Sequence, residues 1–159
     1  MRDSLILNAP TAEKTREIGK KLSIYLRDGD TVVLEGGLGA GKSEFARGIA
    51  RGLGYGGPIP SPSFTILNEY EGGRLALHHF DWYRLSDSDE IWESGLNEFI
   101  GGKGVAVIEW GERAPDALPK DCLRVSLLPM EDGSRRITIT AEGETPLPPL
   151  LSDKTGGAE

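Results

Sequence analysis

The sequence predicts a single α/β domain, in which helices pack against a sheet. Its length of 159 residues favours one domain, because domains usually take about 100 to 200 residues. Two stretches with helical periodicity enclose a short run of β-branched residues, and two later pairs of strand-like segments are each joined by a glycine-containing turn. Such a mixture of helical and strand patterns is typical of a sheet with helices on its faces.

Both of the longer helical patterns lie in the first half of the chain. One helix is predicted over residues 11–27, where apolar side chains recur at spacings of three and four, and a second over residues 42–53. Between them, residues 31–35 read TVVLE, a run that suits a strand buried on both faces. The predicted order is therefore helix, strand, helix.

The second half of the chain is predicted to consist mainly of strands. Two antiparallel hairpins follow from strand-forming segments at residues 64–70, 74–80, 123–128 and 136–141. A short helix that carries Ile91 and a buried strand at residues 105–108 lie between the hairpins. Residues 1–143 are therefore assigned to the domain. The aperiodic, proline-rich residues 144–159 are predicted to be disordered.

Composition and charge limit the classes of function. Lys and Arg number 18 and Asp and Glu 25, so the formal net charge is −7, which argues against a surface built mainly to hold nucleic-acid phosphates. Cys122 is the only cysteine, which excludes an internal disulfide and a cysteine-clustered metal site. The sequence has neither a secretory signal pattern nor an apolar run of about 18 residues. We therefore expect a soluble, cytoplasmic protein without membrane attachment.

One motif carries clear chemistry. Residues 36–43 read GGLGAGKS and fit G-x-x-x-x-G-K-[ST], the phosphate-binding P-loop, between a predicted strand and a predicted helix. Backbone N–H groups of such a loop surround phosphates at the positive end of the helix. Lys42 can then neutralise the β- and γ-phosphates, and the Ser43 hydroxyl can bind Mg²⁺. The motif predicts a nucleotide site, and its alternative is a glycine-rich turn with a surface lysine.

Two carboxylates are candidates for work beside the metal. Asp81 and Glu109 each end a predicted strand, and P-loop enzymes place such acids at the C-terminal ends of core strands. For either acid alone a surface role explains the position equally well, but the presence of two favours function. His78 and His79 are adjacent in a strand, so their side chains should point to opposite faces. A structural role is favoured for both histidines.

The segment at residues 61–65, SPSFT, is a hydroxyl-rich loop before a predicted strand. Such a loop suits a switch that senses a γ-phosphate. An ordinary turn is the alternative, and spacing alone does not decide between them.

Four stretches stand out, and in order along the chain they read LEGGLGAGKSEFARGIARGLG, SPSFTILNEY, HFDWYRL and IEW. Together they resemble the bacterial TsaE family of ATPases, which act in tRNA threonylcarbamoyladenosine biosynthesis. A P-loop alone occurs in many families, whereas this combination is specific. The resemblance implies a P-loop NTPase-like domain with a mixed parallel and antiparallel sheet, and ATP and Mg²⁺ as cofactors. It also implies the partner proteins TsaB and TsaD, through which the chain would meet tRNA only indirectly.

The resemblance further implies roles for individual residues. Lys42, Asp81 and Glu109 would be catalytic, Ser43 and Glu109 would bind Mg²⁺, and Thr65 would lie in the switch-like loop. The residues expected to bind the nucleotide are Thr11, Leu38, Gly39, Ala40, Gly41, Lys42, Ser43 and Asp81.

Two adjacent positions in the P-loop helix depart from the family pattern. Family members usually have two threonines where this chain has Ser43 and Glu44. Ser43 keeps the hydroxyl, whereas the charge of Glu44 in the first helical turn favours the helix but opposes phosphate binding. A modest affinity for nucleotide is therefore expected.

Two other functions remain open from the residues alone. A small-molecule kinase would use the same P-loop but usually needs a lid that carries arginines, and no arginine lies between Arg84 and Arg113. A nucleotide-dependent binding switch is the other alternative, although the N/T-K-x-D guanine signature is absent from the sequence.

The positions of the arginines predict slow hydrolysis by the chain alone. Arg47 and Arg51 lie on a predicted helix that leads away from the phosphates. Unless Arg84, Arg135 or Arg136 folds back, the charge of the transition state rests on the lysine and Mg²⁺, and partners would be needed to stimulate turnover.

Overall fold

A computed structural model of the chain describes residues 4–37, 39–59 and 66–149. The helices in this part are α1 (Ala12–Ser23), α2 (Lys42–Gly52) and α3 (Asp89–Ser94), with short 3-10 helices at Leu96–Phe99, Gly111–Arg113 and Pro115–Ala117. The strands are β1 (Ser4–Ala9), β2 (Thr31–Glu35), β3 (Leu67–Tyr70), β4 (Leu77–Asp81), β5 (Val105–Glu109), β6 (Cys122–Pro129) and β7 (Arg135–Glu142). None of these described helices has both the length and the apolar character needed to cross a membrane.

The described strands form one mixed sheet in the order β1-β7-β6-β2-β5-β4-β3. Strand β2 pairs in parallel with β5 and β6, and β4 pairs in parallel with β5. Strands β1, β7 and β6 pair antiparallel and form what we call the antiparallel wing, while β3 pairs antiparallel with β4. The expected α/β fold with a mixed sheet is therefore confirmed. Parallel strands end at one edge of the sheet, where α/β proteins bind their ligands.

Helices α1 and α2 cover one face of the sheet. Leu22 of α1 and Phe45 of α2 are buried in the same core cluster as Val107 of β5. The two helices approach each other closely at Gly48, where a Cβ atom would collide with the carbonyl oxygen of Arg16. Since burial of a large apolar side chain contributes about 1.5–3 kcal/mol, this packing fixes the N-terminus of α2 relative to the strand ends.

The opposite face of the sheet is covered by the chain that follows β4. Trp82 is fully buried and meets Phe80 edge to face, with ring centroids 5.8 Å apart. Ile91 of α3 belongs to the same cluster. Both faces of the central strands are therefore buried, as the TVVLE pattern predicts.

The end of α1 and the start of β4 differ from the sequence predictions. Helix α1 ends at Ser23 instead of residue 27, and the chain continues in 3-10-type turns. The guanidinium of Arg74 donates hydrogen bonds to the carbonyls of Ser23, at 2.7 Å, and Leu26, at 3.2 Å. These bonds satisfy carbonyls that a helix end leaves unpaired. The backbone N–H of Arg74 donates to the carbonyl of Leu53 in α2's C-terminal turn and not to a strand neighbour, and β4 begins only at Leu77.

The edge strand β1 is missing from the sequence predictions. It pairs antiparallel with β7 along Ser4–Ala9, with Leu5 and Leu7 half-buried. Ile6 points outward and is 68% exposed, so the apolar run LIL does not show the alternation that identifies a strand with one buried face.

The folded chain extends past residue 143, where the domain was predicted to end. The Thr145 N–H donates to the carbonyl of Glu142, Leu147 packs against the main core, and Pro148 is buried. This finding differs from the prediction that disorder begins at residue 144. Residues 150–159 lie outside the described residues, and for them disorder stays a prediction.

Candidate nucleotide-binding site

A cleft opens at the C-terminal ends of β2, β4 and β5. Its volume is about 500 Å³, within the range of about 300–1,000 Å³ that is typical of small-molecule sites. The predicted site residues that line it are Thr11, Gly39, Ala40, Gly41, Lys42, Ser43, Asp81 and Glu109. Leu38 and the segment at residues 60–65, which includes Thr65, lie outside the described residues. The structure thus brings together in one cleft all the predicted site residues that it describes.

The P-loop leads from the end of β2 directly into α2. Strand β2 ends at Glu35 and α2 begins at Lys42, so the first N–H groups of the helix, which have no partner within it, lie at the cleft. Gly41 precedes the helix with φ of 104°, a left-handed conformation that glycine adopts without strain. The partial positive charge of the helix end and these N–H groups make an anion-binding position.

Lys42 lies beneath an aromatic ring. Its side chain is buried, and Nζ lies 3.8 Å from the centroid of the Trp110 ring in a cation–π contact. Burial lowers the pKa of Lys42, while the carboxylates of Glu109, Glu112 and Asp81 act in the opposite direction. Trp110 has φ of 61°, a left-handed conformation that costs a bulky residue about 1–3 kcal/mol. A strained turn thus holds the ring over a poorly hydrated ammonium group.

Asp81 and Glu109 lie side by side at the ends of β4 and β5. They are register partners in the parallel pair, and the Trp82 N–H donates to the Glu109 carbonyl at 3.0 Å just beyond them. Burial raises the pKa of Asp81, the 2.9 Å hydrogen bond from the Tyr83 N–H lowers it, and the charge of Glu109 raises it. Two acids therefore meet the lysine across the cleft, as the sequence predicts for strand-end carboxylates.

The oxygen atoms of this cleft suit Mg²⁺ that arrives with a nucleotide. Among the described residues, no three His, Cys, Asp or Glu side chains converge into a metal site of their own. Magnesium in nucleotide sites usually takes one or two carboxylates together with phosphate oxygens and water. Ser43, in the first turn of α2, supplies a hydroxyl beside Asp81 and Glu109. These donors fit a metal that needs phosphate oxygens to complete its shell.

Thr11 occupies the N-cap of α1, at the rim of the cleft. Its Oγ1 accepts a hydrogen bond from the Lys14 N–H at 3.1 Å, which satisfies one of the free N–H groups at the helix start. Thr15 of the same helix also lines the cleft. The start of α1 thus forms a wall of the cleft, and contact between Thr11 and a nucleotide stays a prediction.

Arg135 is part of the site, although the sequence indicates only that this arginine could fold back. From the start of β7 it donates hydrogen bonds from Nε to the carbonyl of Ala40, at 3.0 Å, and from Nη2 to that of Gly39, at 3.1 Å. These bonds tie the antiparallel wing to the P-loop. The partners are about 95 residues apart in sequence, and no local pattern indicates the contact.

His79 is a second residue whose connection with the site was not predicted. The two adjacent histidines do point in different directions: the His78 ring lies 5.0 Å from that of Phe99, whereas the His79 Nε2–H donates to Glu109 Oε2 at 2.7 Å. The strand period of two was the available signal, because His79 precedes Asp81 by two residues and so shares its face of the sheet.

Glu44 is charge-compensated in the folded protein. Its carboxylate accepts hydrogen bonds from Arg16, at 2.7 Å, and from Arg47, at 3.1 Å. Glu44 also lines the cleft, and the two arginines partly offset its charge there. The modest affinity for nucleotide stays a prediction.

Comparison with known proteins agrees with this geometry. The family described as threonylcarbamoyl adenosine biosynthesis protein TsaE matches residues 9–137. A tRNA threonylcarbamoyladenosine biosynthesis protein TsaE from Bacillus subtilis (strain 168) is 41% identical over 82% of each chain. The protein of the same name from Treponema pallidum (strain Nichols) is 43% identical over 81% of this chain and 95% of its own. The crystal structure of Bacillus subtilis YdiB, 37% identical, covers 90% of this chain and 88% of that chain with a TM-score of 0.77. The chain therefore belongs to the TsaE family.

Proposed function

We propose that this protein is an ATP-binding and ATP-hydrolysing accessory subunit in tRNA threonylcarbamoyladenosine biosynthesis, acting with TsaB and TsaD. The observation that carries the proposal is the P-loop at the start of α2, with Lys42 facing two strand-end carboxylates. Membership of a family named for this modification supports the choice of pathway.

The P-loop and α2 bind the phosphates of ATP. Backbone N–H groups at residues 39–43 donate to phosphate oxygens at the positive end of the helix. Lys42 leaves the face of Trp110, or shares it, to neutralise the β- and γ-phosphates. Because the free ammonium is poorly hydrated, it gives up little solvation when it meets the anion.

Ser43 and the two acids would hold Mg²⁺ and orient the attacking water. Mg²⁺, when bound, neutralises phosphate charge during transfer to water. Ser43 Oγ and the Glu109 carboxylate are the proposed protein ligands, and Asp81, as the Walker B acid, lies beside them. Glu109 is buried and held by a hydrogen bond, so its carboxylate is oriented before the nucleotide arrives.

The described arginines support slow turnover by the chain alone. In the described part of the chain, Arg135 is the one arginine that lines the cleft, and its guanidinium already binds the carbonyls of Ala40 and Gly39. Arg47 binds Glu44 and the carbonyl of Ile59. In P-loop NTPases an arginine at the transition state is worth about 10³–10⁵ in rate. A partner protein is proposed to supply that group or to order the site.

TsaB and TsaD are the proposed partners, and tRNA is reached through them. The net charge of −7 supports indirect contact, because direct binding to phosphates relies on clustered Lys and Arg. The cytoplasm, where tRNA is modified, is the proposed compartment.

Reconstitution tests this function. A reaction with TsaB, TsaD, tRNA and a threonylcarbamoyl donor is run with and without this chain, and modified adenosine is measured by mass spectrometry. We expect repeated turnover to require both the chain and hydrolysable ATP. Equal modification without the chain would contradict the proposal, and transfer of the γ-phosphate to a small molecule would favour a kinase instead.

A further inference from the structure

The buried hydrogen bond between His79 and Glu109 joins a residue without an assigned role to a proposed metal ligand. The Nε2–H of His79 donates to Oε2 of Glu109 at 2.7 Å. The side chains of His79 and Glu109 are 2% and 6% exposed, respectively. Water therefore cannot replace this bond without a change in the packing around it.

The strand register explains why these two side chains meet. Asp81 and Glu109 are partners in the β4–β5 pair, and His79 is the partner of Val107. Side chains two residues apart in a strand share one face, so His79, Asp81 and Glu109 all point toward the side of the sheet that α2 covers. His79 lies one step deeper in the sheet than the acids, behind the cleft and not in its lining.

From this arrangement we infer that His79 is a positioning residue for Glu109 in the binding of Mg²⁺ and nucleotide. The inference rests on the proposed function. The bond occupies one carboxylate oxygen, Oε2, and so fixes the rotation of the carboxylate and leaves Oε1 as the oxygen available to the cleft. Partners of metal-binding side chains commonly act in this way, and their loss costs about 10- to 100-fold in metal affinity or activity.

His78 provides a matched control in the same strand. It is also buried, at 6% exposed, and its Nε2 bonds with the carbonyl of Lys103 at 3.1 Å. Its ring packs against Phe99 on the face of the sheet away from the cleft. A substitution at His78 therefore disturbs a buried strand histidine without touching Glu109.

The test is calorimetric binding of ATP to the full chain, in excess EDTA and again in saturating MgCl₂. The ratio of the two dissociation constants measures the coupling between Mg²⁺ and nucleotide. We expect His79→Leu to leave the metal-free affinity nearly unchanged and to lower the coupling by about 10- to 100-fold. His78→Leu should keep the wild-type coupling.

Two amide variants keep the test decisive if His79→Leu does not fold. The amide nitrogen of glutamine reaches about as far along the side chain as Nε2, whereas that of asparagine stops short of it. We expect His79→Gln to restore most of the coupling and His79→Asn to lack it, although both replace the ring with the same polar group.

The outcomes separate this inference from the proposed function. Unchanged coupling in His79→Leu or His79→Asn, or an equal loss in His78→Leu, would overturn the positioning role alone. A wild-type chain that binds no ATP in either buffer would overturn the proposed function, and the positioning role with it.

Discussion

The antiparallel wing and the parallel centre of the sheet place different chemistry in their interiors. In the wing, β6 and β7 alternate buried apolar residues, such as Val125 and Ile139, with more exposed ones. In the centre, Lys42, His79 and Glu109 are buried together beside apolar strands. Burial of polar groups is unfavourable unless each finds a partner. The difference indicates that the wing mainly stabilises the fold, while the centre holds the buried polar cluster at which we propose that nucleotide binds.

One side chain connects the two regions. Arg135 belongs to β7 but donates its hydrogen bonds to P-loop carbonyls. The following substitutions therefore test whether stability and binding are separable, and how far Arg135 couples them.

The largest expected effect is the loss of nucleotide binding in Lys42→Ala. Two charge-assisted hydrogen bonds at about 1.5–3 kcal/mol each correspond to at least about 100-fold in affinity. The free energy of unfolding should fall little or even rise, because a buried, poorly hydrated ammonium is removed. Calorimetry with ATP and urea unfolding measure the two quantities, and Lys20→Ala on the exposed side of α1 is the control. Wild-type affinity in folded Lys42→Ala would mean that phosphates bind elsewhere.

In the antiparallel wing, Ile139→Ala should affect stability and spare binding. Ile139 is fully buried, so its truncation should lower the free energy of unfolding by about 2–5 kcal/mol. Thr138→Ala, on the other face of β7, should change it by only about 0.5 kcal/mol. Urea unfolding and ATP calorimetry at a temperature where the variants are folded make the comparison. A weakened ATP affinity in folded Ile139→Ala would show that the two regions are not separable.

Arg135→Ala should have an intermediate effect, and on binding more than on stability. The substitution removes the hydrogen bonds that hold the P-loop carbonyls. If this loss costs about 1–1.5 kcal/mol of binding free energy, the affinity for ATP falls about tenfold. Arg136→Ala, the exposed neighbour in β7, is the matched control for charge. Equal losses of affinity in the two variants would point to long-range charge instead of the contact.

The smallest expected effect is a pH-dependent difference in stability between Asp81→Asn and the wild type. Burial raises the pKa of Asp81 above its ordinary value of 3.8, so the folded protein disfavours the charged form. The stability that the folded protein gains from protonated Asp81 is fully present below pH 3.8. It is lost as the pH rises through the higher pKa that Asp81 has in the folded protein. The amide that replaces the carboxylate carries no charge, so Asp81→Asn should be more stable than wild type near neutral pH, with the difference shrinking in acid.

Urea unfolding at several pH values measures this difference, and ATP binding with Mg²⁺ should weaken in the same variant. A gap in stability that grew toward acid would mean that the folded protein favours the Asp81 carboxylate instead.

Local patterns predicted the centre of the molecule well. The strand at residues 31–35, the helix that starts at Lys42 and the strand that ends at Glu109 all agree with their predicted positions. Each depends on short-range information: a β-branched run, a glycine-rich turn or an apolar run closed by an acid. The motif and the strand ends therefore also located most of the cleft.

Local patterns could not predict contacts between segments that are distant in the sequence. Arg135 reaches the P-loop and Arg74 reaches the end of α1 through folds of the chain that no local pattern encodes. Edge strand β1 was not predicted, because Ile6 faces outward and the apolar run shows no alternation. The bond between His79 and Glu109 requires the register of β4 on β5, which two separate apolar runs do not fix.

Steady-state release of phosphate from ATP is the most direct test of the account. We expect the chain alone to turn over slowly, and to accelerate when TsaB and TsaD are added. Glu109→Gln should bind ATP in EDTA nearly as well as wild type but lose the accelerated rate in MgCl₂, since a group that acts on the metal in the transition state affects rate more than it affects metal-free affinity. The account would be contradicted if the chain alone released phosphate quickly and neither partner changed the rate. An unchanged rate of release in Glu109→Gln would contradict it as well.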